Sequence, residues 1–447
     1  MKNNSPQWLL YLPNFLRDRL LGRDNFLSII HNSGWLLLDK IMRAIFGLLV
    51  GAWVARYLGP SQFGELAYCI AFVAIFQSIS LLGLDGIAVR EIVSDERHSG
   101  VVLGTIFRMR FAAGLICWLT VTILYGFSNN YQSESFLLAA LVAGGLIFQS
   151  ADSIDLWFQS QLQSRRTVLA KLFAYLLSNG VKVALILLEA PLLAFAGVIM
   201  FEAMLNSLVL YVSYRRFPAP NTWAYNLLVS RNLLSESWPY ILSTVSIVIY
   251  MRIDQIMIKS LLDEKSLGIY AAMIPISSLW NIVPMVICMS VAPYIAKIKN
   301  SDNIKFEMIM LKIFRIALIL SVMAIFVTWI LSGPVVSLMY GSAYHGAADI
   351  LNIYVLTNIP IFLGVVQGLW FVNNKKPHLA LLQTISGALF SIFGNLLLIP
   401  VFGLKGAALT AVIAQLISAV LINFIFSRKL FYMQIGYGFR SRGLDDL

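Results

Sequence analysis

Twelve mostly apolar stretches follow one another along this 447-residue chain. They run approximately over 34–57, 63–84, 101–125, 135–160, 168–189, 191–214, 236–260, 267–296, 306–331, 345–371, 377–400 and 405–427. A helix needs about 20 such residues to cross the roughly 30 Å of bilayer hydrocarbon, whereas barrel strands are about ten residues long and alternate in polarity. The stretches therefore predict an all-α integral membrane protein of about twelve transmembrane helices. Composition agrees, because 59% hydrophobic and 12% charged residues leave too little polar side chain to clothe a water-soluble fold. Pro275, Pro284 and Pro293 predict a kink or break in the segment 267–296, since each removes a helical hydrogen bond.

The net charge of +11 is informative through its location. One set of loops holds Lys2, Arg17, Arg19 and Arg23 ahead of the first stretch, then Arg90 and Arg97, Arg165 and Arg166, and Arg215, Arg216 and Arg231. It continues with Lys297, Lys299 and Lys305, Lys375 and Lys376, and Arg428, Lys429, Arg440 and Arg442. That makes twenty, against only Lys265 and Lys405 in the alternate loops. Basic residues are retained on the cytoplasmic side, so the split predicts both ends in the cytoplasm and removes nucleic acid as the reason for the charge. The expected organisation is a cytoplasmic segment 1–33 with an interfacial amphipathic helix, a six-helix bundle 34–214, a cytoplasmic linker 215–235, a second bundle 236–427 and a tail 428–447. The halves echo one another at Leu58-Gly59-Pro60-Ser61-Gln62-Phe63-Gly64 and Leu262-Asp263-Glu264-Lys265-Ser266-Leu267-Gly268. Two like-oriented bundles around a central cavity is a transporter architecture.

Nucleotide-binding, metal-ligand and nucleophile motifs are missing, and the predicted outward loops are short, so neither an enzyme nor a cofactor is expected. Cys69, Cys117 and Cys288 lie in apolar runs as inert thiols. Charged side chains at membrane depth carry the functional signal, because each costs a few kcal/mol unless it faces water or a partner. Asp39 and Arg43 share a helix face beside Lys40. Gln149, Asp152, Asp155 and Gln159 form one polar line, with Arg108 and Arg110 as candidate partners for the acids. Lys171, Tyr175, Ser178 and Lys182 form another, and Glu202, Arg252 and Asp254 complete the set. Arg43, Lys182 and Arg252 are the deepest cations and the leading candidates for lining a wet cavity. Arg56, Glu65 and Lys259 are expected to reach toward the interface.

The stretch Trp53-Val54-Ala55-Arg56-Tyr57-Leu58-Gly59-Pro60-Ser61-Gln62-Phe63-Gly64, with Leu82-Gly83-Leu84-Asp85-Gly86 and Val89-Arg90-Glu91, resembles the polysaccharide transporter family of lipid-linked oligosaccharide flippases. The likeness continues at Tyr250-Met251-Arg252-Ile253-Asp254-Gln255, Leu267-Gly268-Ile269-Tyr270, Met339-Tyr340-Gly341 and Gly403-Leu404-Lys405-Gly406-Ala407-Ala408, and so spans the chain. It implies the fold of multidrug and toxic-compound exporters, alternating access, and an undecaprenyl-pyrophosphate-linked glycan such as an O-antigen or exopolysaccharide repeat unit. That cargo would cross the bacterial cytoplasmic (inner) membrane. A glycan polymerase and other assembly proteins are the implied partners beside the lipid bilayer. Carried onto this chain, the substrate-binding cations are Arg43, Lys182 and Arg252, with Lys40, Arg110 and Lys171 behind them. Asp39, Asp152, Asp155, Glu202 and Asp254 are candidate gating or coupling acids. A multidrug or metabolite exporter of the same fold is the alternative, and it would favour an acid-lined pocket. Some relatives have fourteen spans; this chain is expected to have twelve.

Overall fold

A computed structural model describes residues 24–95, 98–129, 133–217, 222–374 and 376–436; of residues 24–33, Ser128, Asn129, Asn300, Pro377 and His378 only the backbone is described. The expected interfacial helix before residue 24, the tail beyond 436, and Arg97 and Lys375 lie outside them. The first half holds α1 (Asp24–Ser80), α2 (Asp85–Ser94), α3 (Ser99–Asn129), α4 (Glu134–Phe148), α5 (Asp152–Ser160), α6 (Ser164–Leu187) and α7 (Leu192–Arg215). The second half begins with α8 (Leu227–Leu261), α9 (Glu264–Ser278), α10 (Ile282–Ser301), α11 (Asn303–Tyr340) and α12 (Ala347–Tyr354). It ends with α13 (Asn358–Asn374), α14 (Pro377–Phe402), α15 (Leu404–Leu416), α16 (Ile422–Phe426) and α17 (Arg428–Gln434). Single tight turns at 149–151, 279–281 and 355–357 join α4 to α5, α9 to α10 and α12 to α13, and a wide turn at 417–421 joins α15 to α16.

Eleven helical segments among the described residues are long and apolar enough to cross a membrane. The first of them contains two of the twelve sequence stretches. Gly59 takes φ 72°, ψ 169°, a conformation that L side chains rarely adopt, and Pro60 follows it, so α1 is two arms hinged there. Six crossings per half result. The interruption in 267–296 falls at 279–281, between Pro275 and Pro284, and Pro284 sits in the first turn of α10, where its missing N–H breaks no helical bond.

Three boundaries differ from expectation. The second arm of α1 ends at Ser80 and a separate short helix, α2, follows it. The linker is shorter than 215–235, because Asn226 caps α8 by accepting from the amides of Leu228 (2.9 Å) and Val229 (3.4 Å). The start of the tail is also helical, with Leu430 and Met433 of α17 buried in the core of the second half.

The linker's shortness gives α8 a double allegiance. At 35 residues it is about 52 Å long. Its beginning packs with the first half: Leu233 is buried among Leu103, Trp157 and Tyr214, and Glu236 takes both guanidinium nitrogens of Arg90 at 2.6 and 2.7 Å. Its end, Met257 and Ile258, is buried in the second half among Tyr270, Tyr344 and Ala407.

The halves close on each other at the two echoed sequences. A Cβ on Gly64 would lie 1.8 Å from the Glu264 carbonyl oxygen, and one on Gly268 would lie 1.9 Å from the Pro60 carbonyl oxygen. Only hydrogen fits at either position. Around this crossing the Lys259 ammonium lies 3.0 Å from Glu264 and 4.5 Å from the Tyr68 ring centroid. The Tyr344 hydroxyl donates to the Ala55 carbonyl at 2.6 Å. Lys259 thus has a partner on each half rather than reaching out to the interface. In a variant lacking native cysteines, Leu267→Cys is expected to resist a water-soluble maleimide and to become reactive once Gly64→Val is added. Equal labelling in both would contradict the contact.

Candidate functional site

The first arm of α1 and helices α6 and α7 build a charged seam inside the first half. Four residues apart on one helix, Asp39 and Arg43 pair at 2.9 Å, as their spacing predicts. Arg43 also reaches Glu202 of α7 at 4.0 Å, and Lys182 of α6 approaches the other oxygen of Glu202 at 3.4 Å. Tyr175 holds Arg43 from the side. Its hydroxyl donates to the Arg43 carbonyl at 2.9 Å, and its ring centroid lies 4.7 Å from the guanidinium carbon. One turn toward the other end of α6, Lys171 sits between Asp152 at 3.0 Å and Asp155 at 2.8 Å. Asp155 also accepts from Gln159 at 3.2 Å. Each half-buried charge on this seam therefore has an opposite charge beside it, as hydrocarbon surroundings demand.

Beside the seam lies a cavity of about 570 Å³ lined by Arg43, Lys171, Lys182 and Arg252, with Asp152 and Glu202 the two acids on its wall. The remaining wall is apolar or neutral, with Gln77, Gln149, Tyr175, Asn179 and Asn206 as its uncharged polar groups. The volume is that of a small-molecule site. Every lining residue except Arg252 comes from the first half. Arg252 enters from α8, the helix shared by both halves, and among the described residues it has no carboxylate within 4.0 Å. The other three cations are already engaged. Lys171 is held by two acids, Arg43 by Asp39, and Lys182 shares Glu202 with Arg43. The capacity for an incoming anion therefore concentrates at Arg252 and, next, at Lys182.

Five candidates lie off this wall. Lys40 is directed across to the second half, where its ammonium lies 3.3 Å from the Met285 sulfur. Asp39 and Asp155 stand behind the cations they neutralise. Arg110, only 2% exposed, pairs with Asp85 at the start of α2 at 2.6 Å, so it ties α3 to α2 and leaves Asp152 and Asp155 to Lys171. Arg108 is also no partner for those acids; it lies over the Tyr225 ring. Asp254 is buried in the second half, accepting from the Tyr270 hydroxyl at 2.6 Å and the Gln255 amide at 2.8 Å. It lies two residues from Arg252, whose charge still acts on it, but its hydrogen bonds are within the second half while Arg252 lines the cavity. Asn179 and Asn206 are cavity residues that the sequence reading passed over, although each lies four residues beyond a member of the seam, Tyr175 and Glu202. Among the described residues, no three His, Cys, Asp or Glu side chains gather as metal ligands.

A family model described as polysaccharide biosynthesis protein matches residues 29–299. The chain belongs to that family. A second model, MatE, matches residues 239–397. The probable flippase AglR of Haloferax volcanii is 22% identical over 399 residues, which cover 86% of this chain and 80% of the relative. Among solved structures, an inward-facing multidrug resistance MATE transporter of the MOP superfamily superposes with a TM-score of 0.69 at 16% identity, covering 88% of this chain and 96% of that one. The lipid II flippase MurJ, in an inward closed conformation, gives 0.68 at 16% identity over 89% of each chain. These likenesses show that the chain has the fold of those transporters, and its own six crossings per half match the helix count expected from the sequence.

The Lys171 triad supplies a stability test. Lys171→Met leaves two half-buried carboxylates without a counter-charge, a loss of order 3 kcal/mol. The purified protein is expected to melt several degrees lower, and adding Asp152→Asn and Asp155→Asn is expected to recover most of the loss. A single variant as stable as the parent would show that water, not Lys171, solvates these acids.

Proposed function

We propose that this protein is a flippase that carries a polyprenyl-pyrophosphate-linked oligosaccharide across the membrane by alternating access, and that it is not an enzyme. The observation that carries the reading is Arg252, a guanidinium on the cavity wall with no carboxylate within 4.0 Å among the described residues. A pyrophosphate cannot shed its hydration in hydrocarbon, but a guanidinium in a wet cavity replaces that hydration with paired, charge-assisted hydrogen bonds. The polyprenyl tail stays in lipid throughout. Family membership and the names of AglR and MurJ, a probable flippase and a lipid II flippase, support the same cargo class.

The twenty-to-two distribution of basic residues supports an orientation with both ends in the cytoplasm. That orientation puts the Gly64–Gly268 crossing, next to Lys265, on the outer side, and the close backbone contact there supports an outer seal. A state that loads cargo from the cytoplasm requires that seal. An undecaprenyl-linked O-antigen or exopolysaccharide repeat unit in a bacterial cytoplasmic membrane is the specific cargo and setting we favour, with the glycan polymerase acting on the far side.

A multidrug or metabolite exporter of the same fold is the second reading, supported by the MatE match and the MATE neighbour. A cationic drug would need an available carboxylate. Both lining acids, Asp152 and Glu202, already hold cations at 3.0 and 3.4 Å, which disfavours it.

Deleting the gene is expected to accumulate the lipid-linked glycan on the cytoplasmic leaflet. Arg252→Ala is expected to abolish complementation, and Arg252→Lys to restore part of it. Loss of one hydrogen bond to a charged group, worth about 1.5–3 kcal/mol, weakens capture roughly 10- to 150-fold. Full activity of Arg252→Ala would remove that residue from the site.

A further inference from the structure

Behind the cavity wall lies a second concavity. Its volume is about 470 Å³, and its lining is apolar and aromatic, including Phe107, Phe148, Met204 and Trp223, with Ser207 the one hydroxyl besides that of Tyr211. It shares no residue with the cavity but shares α4, the turn after it, α5 and α7 with it. On the wall formed by α4, the turn after it and α5, Gln149 and Asp152 face the cavity, while Phe148 and Ala151 face the groove. On α7, Glu202 and Asn206 face inward while Met204 and Leu208 face outward. Met204 and Leu208 are exposed, so the groove opens to the surroundings of the bundle, which at this depth are lipid.

One end of the groove lies near Arg215, the last residue of the apolar span Leu192–Arg215, which is where headgroups begin. Trp157, Tyr214 and Trp223 pack edge-on there with centroids 5.3 and 5.4 Å apart, and Trp223 lies 5.3 Å from Phe107. Two exposed arginines lie just outside the lining, Arg108 next to Phe107 in the chain and Arg215 beside Tyr211. Arg108 lies 5.7 Å from the centroid of Tyr225, and Arg215 lies 5.9 Å from the centroid of Tyr211, itself part of the lining. Among the described residues neither has a carboxylate within 4.0 Å. Ring stacking holds each guanidinium and leaves its N–H groups free.

We propose that this groove is a binding site for one anionic glycerophospholipid, its acyl chain against Phe148 and Met204 and its phosphate between Arg108 and Arg215. The apolar lining suits any acyl chain; the two unneutralised guanidinium groups select an anionic headgroup. The bound lipid is distinct from transported cargo, because α4, α5 and α7 stand between the groove and the cavity. It stiffens the wall that carries Asp152 and Glu202.

The full-length protein, purified and delipidated in detergent, is titrated with dioleoylphosphatidylglycerol or dioleoylphosphatidylcholine and read by native mass spectrometry. One phosphatidylglycerol is expected to be retained with a preference of about tenfold or more over phosphatidylcholine. Arg108→Gln with Arg215→Gln, both at exposed positions, is expected to bring that preference to about one while the melting temperature holds. Ser207→Trp fills the groove and is expected to lower retention of both lipids. Equal retention of the two lipids by the parent, or an unchanged preference in the double variant, would overturn the proposal. So would displacement of phosphatidylglycerol by substoichiometric polyprenyl phosphate, which would make the groove a site for the cargo's tail.

Discussion

An ionised side chain inside a bilayer must find either an opposite charge or water, and the first half of this chain is organised around that requirement. Asp39, Arg43, Glu202 and Lys182 run as a connected series across three helices, with Asp152, Lys171 and Asp155 beside them. The pairs hold α1, α6 and α7 at fixed spacing and leave room between them for a cavity. Their near neutrality gives Arg252 its significance. Four bases and two acids line the cavity, and Asp39 and Asp155 behind the wall bring the acids to four as well; Arg252, on α8, is the one of these bases with no carboxylate within 4.0 Å among the described residues.

The position of α8 connects that charge to movement. Its beginning is fixed to the first half by Leu233 and by the Arg90–Glu236 pair, and its end is buried in the second half. A change in how the halves meet at Gly64 and Gly268 must tilt or bend this helix, and Pro239 gives it a weak point. An anion bound at Arg252 would therefore act on a helix that packs with both halves, as α1 also does. The second half, by contrast, carries Asp254 as its one buried charge among the described residues and relies more on neutral amides. Gln367, Gln383, Asn423 and Gln434 form a closed set of amide hydrogen bonds of 2.8–3.3 Å that pins α17 to α13, α14 and α16. The electrical asymmetry visible along the sequence thus separates a half with a chain of ion pairs around a cavity from one with fewer charges inside it.

Much of the fold was legible because its signals are local. Twenty apolar residues announce a span wherever they occur, and Gly59-Pro60 marks the hinge that a continuous helix would otherwise hide. The Asp39–Arg43 pair and the stripe through Lys171, Tyr175 and Lys182 followed from helical periodicity alone. Pairings between helices were not legible. Nothing in the spacing joins Arg110 to Asp85 or takes Asp152 and Asp155 to Lys171, because the choice depends on which helices become neighbours and how deeply each side chain sits. Asp254 was grouped with Arg252 for its proximity in sequence, yet two residues along a helix is about 200°, enough to send the carboxylate to Tyr270 and the guanidinium to the cavity. The echo of Gly64 in Gly268 was visible as a repeat; that the two lie against each other was visible only in three dimensions.

Transport in a defined bilayer tests the central claim most directly. Proteoliposomes holding only this protein would receive a fluorescent polyprenyl-pyrophosphate oligosaccharide in one leaflet, with a lipophilic organic cation as the competing cargo. The account requires protein-dependent transfer of the pyrophosphate-linked sugar, its loss in Arg252→Glu, and no transfer of the cation. Cation transport without movement of the lipid-linked sugar would contradict it.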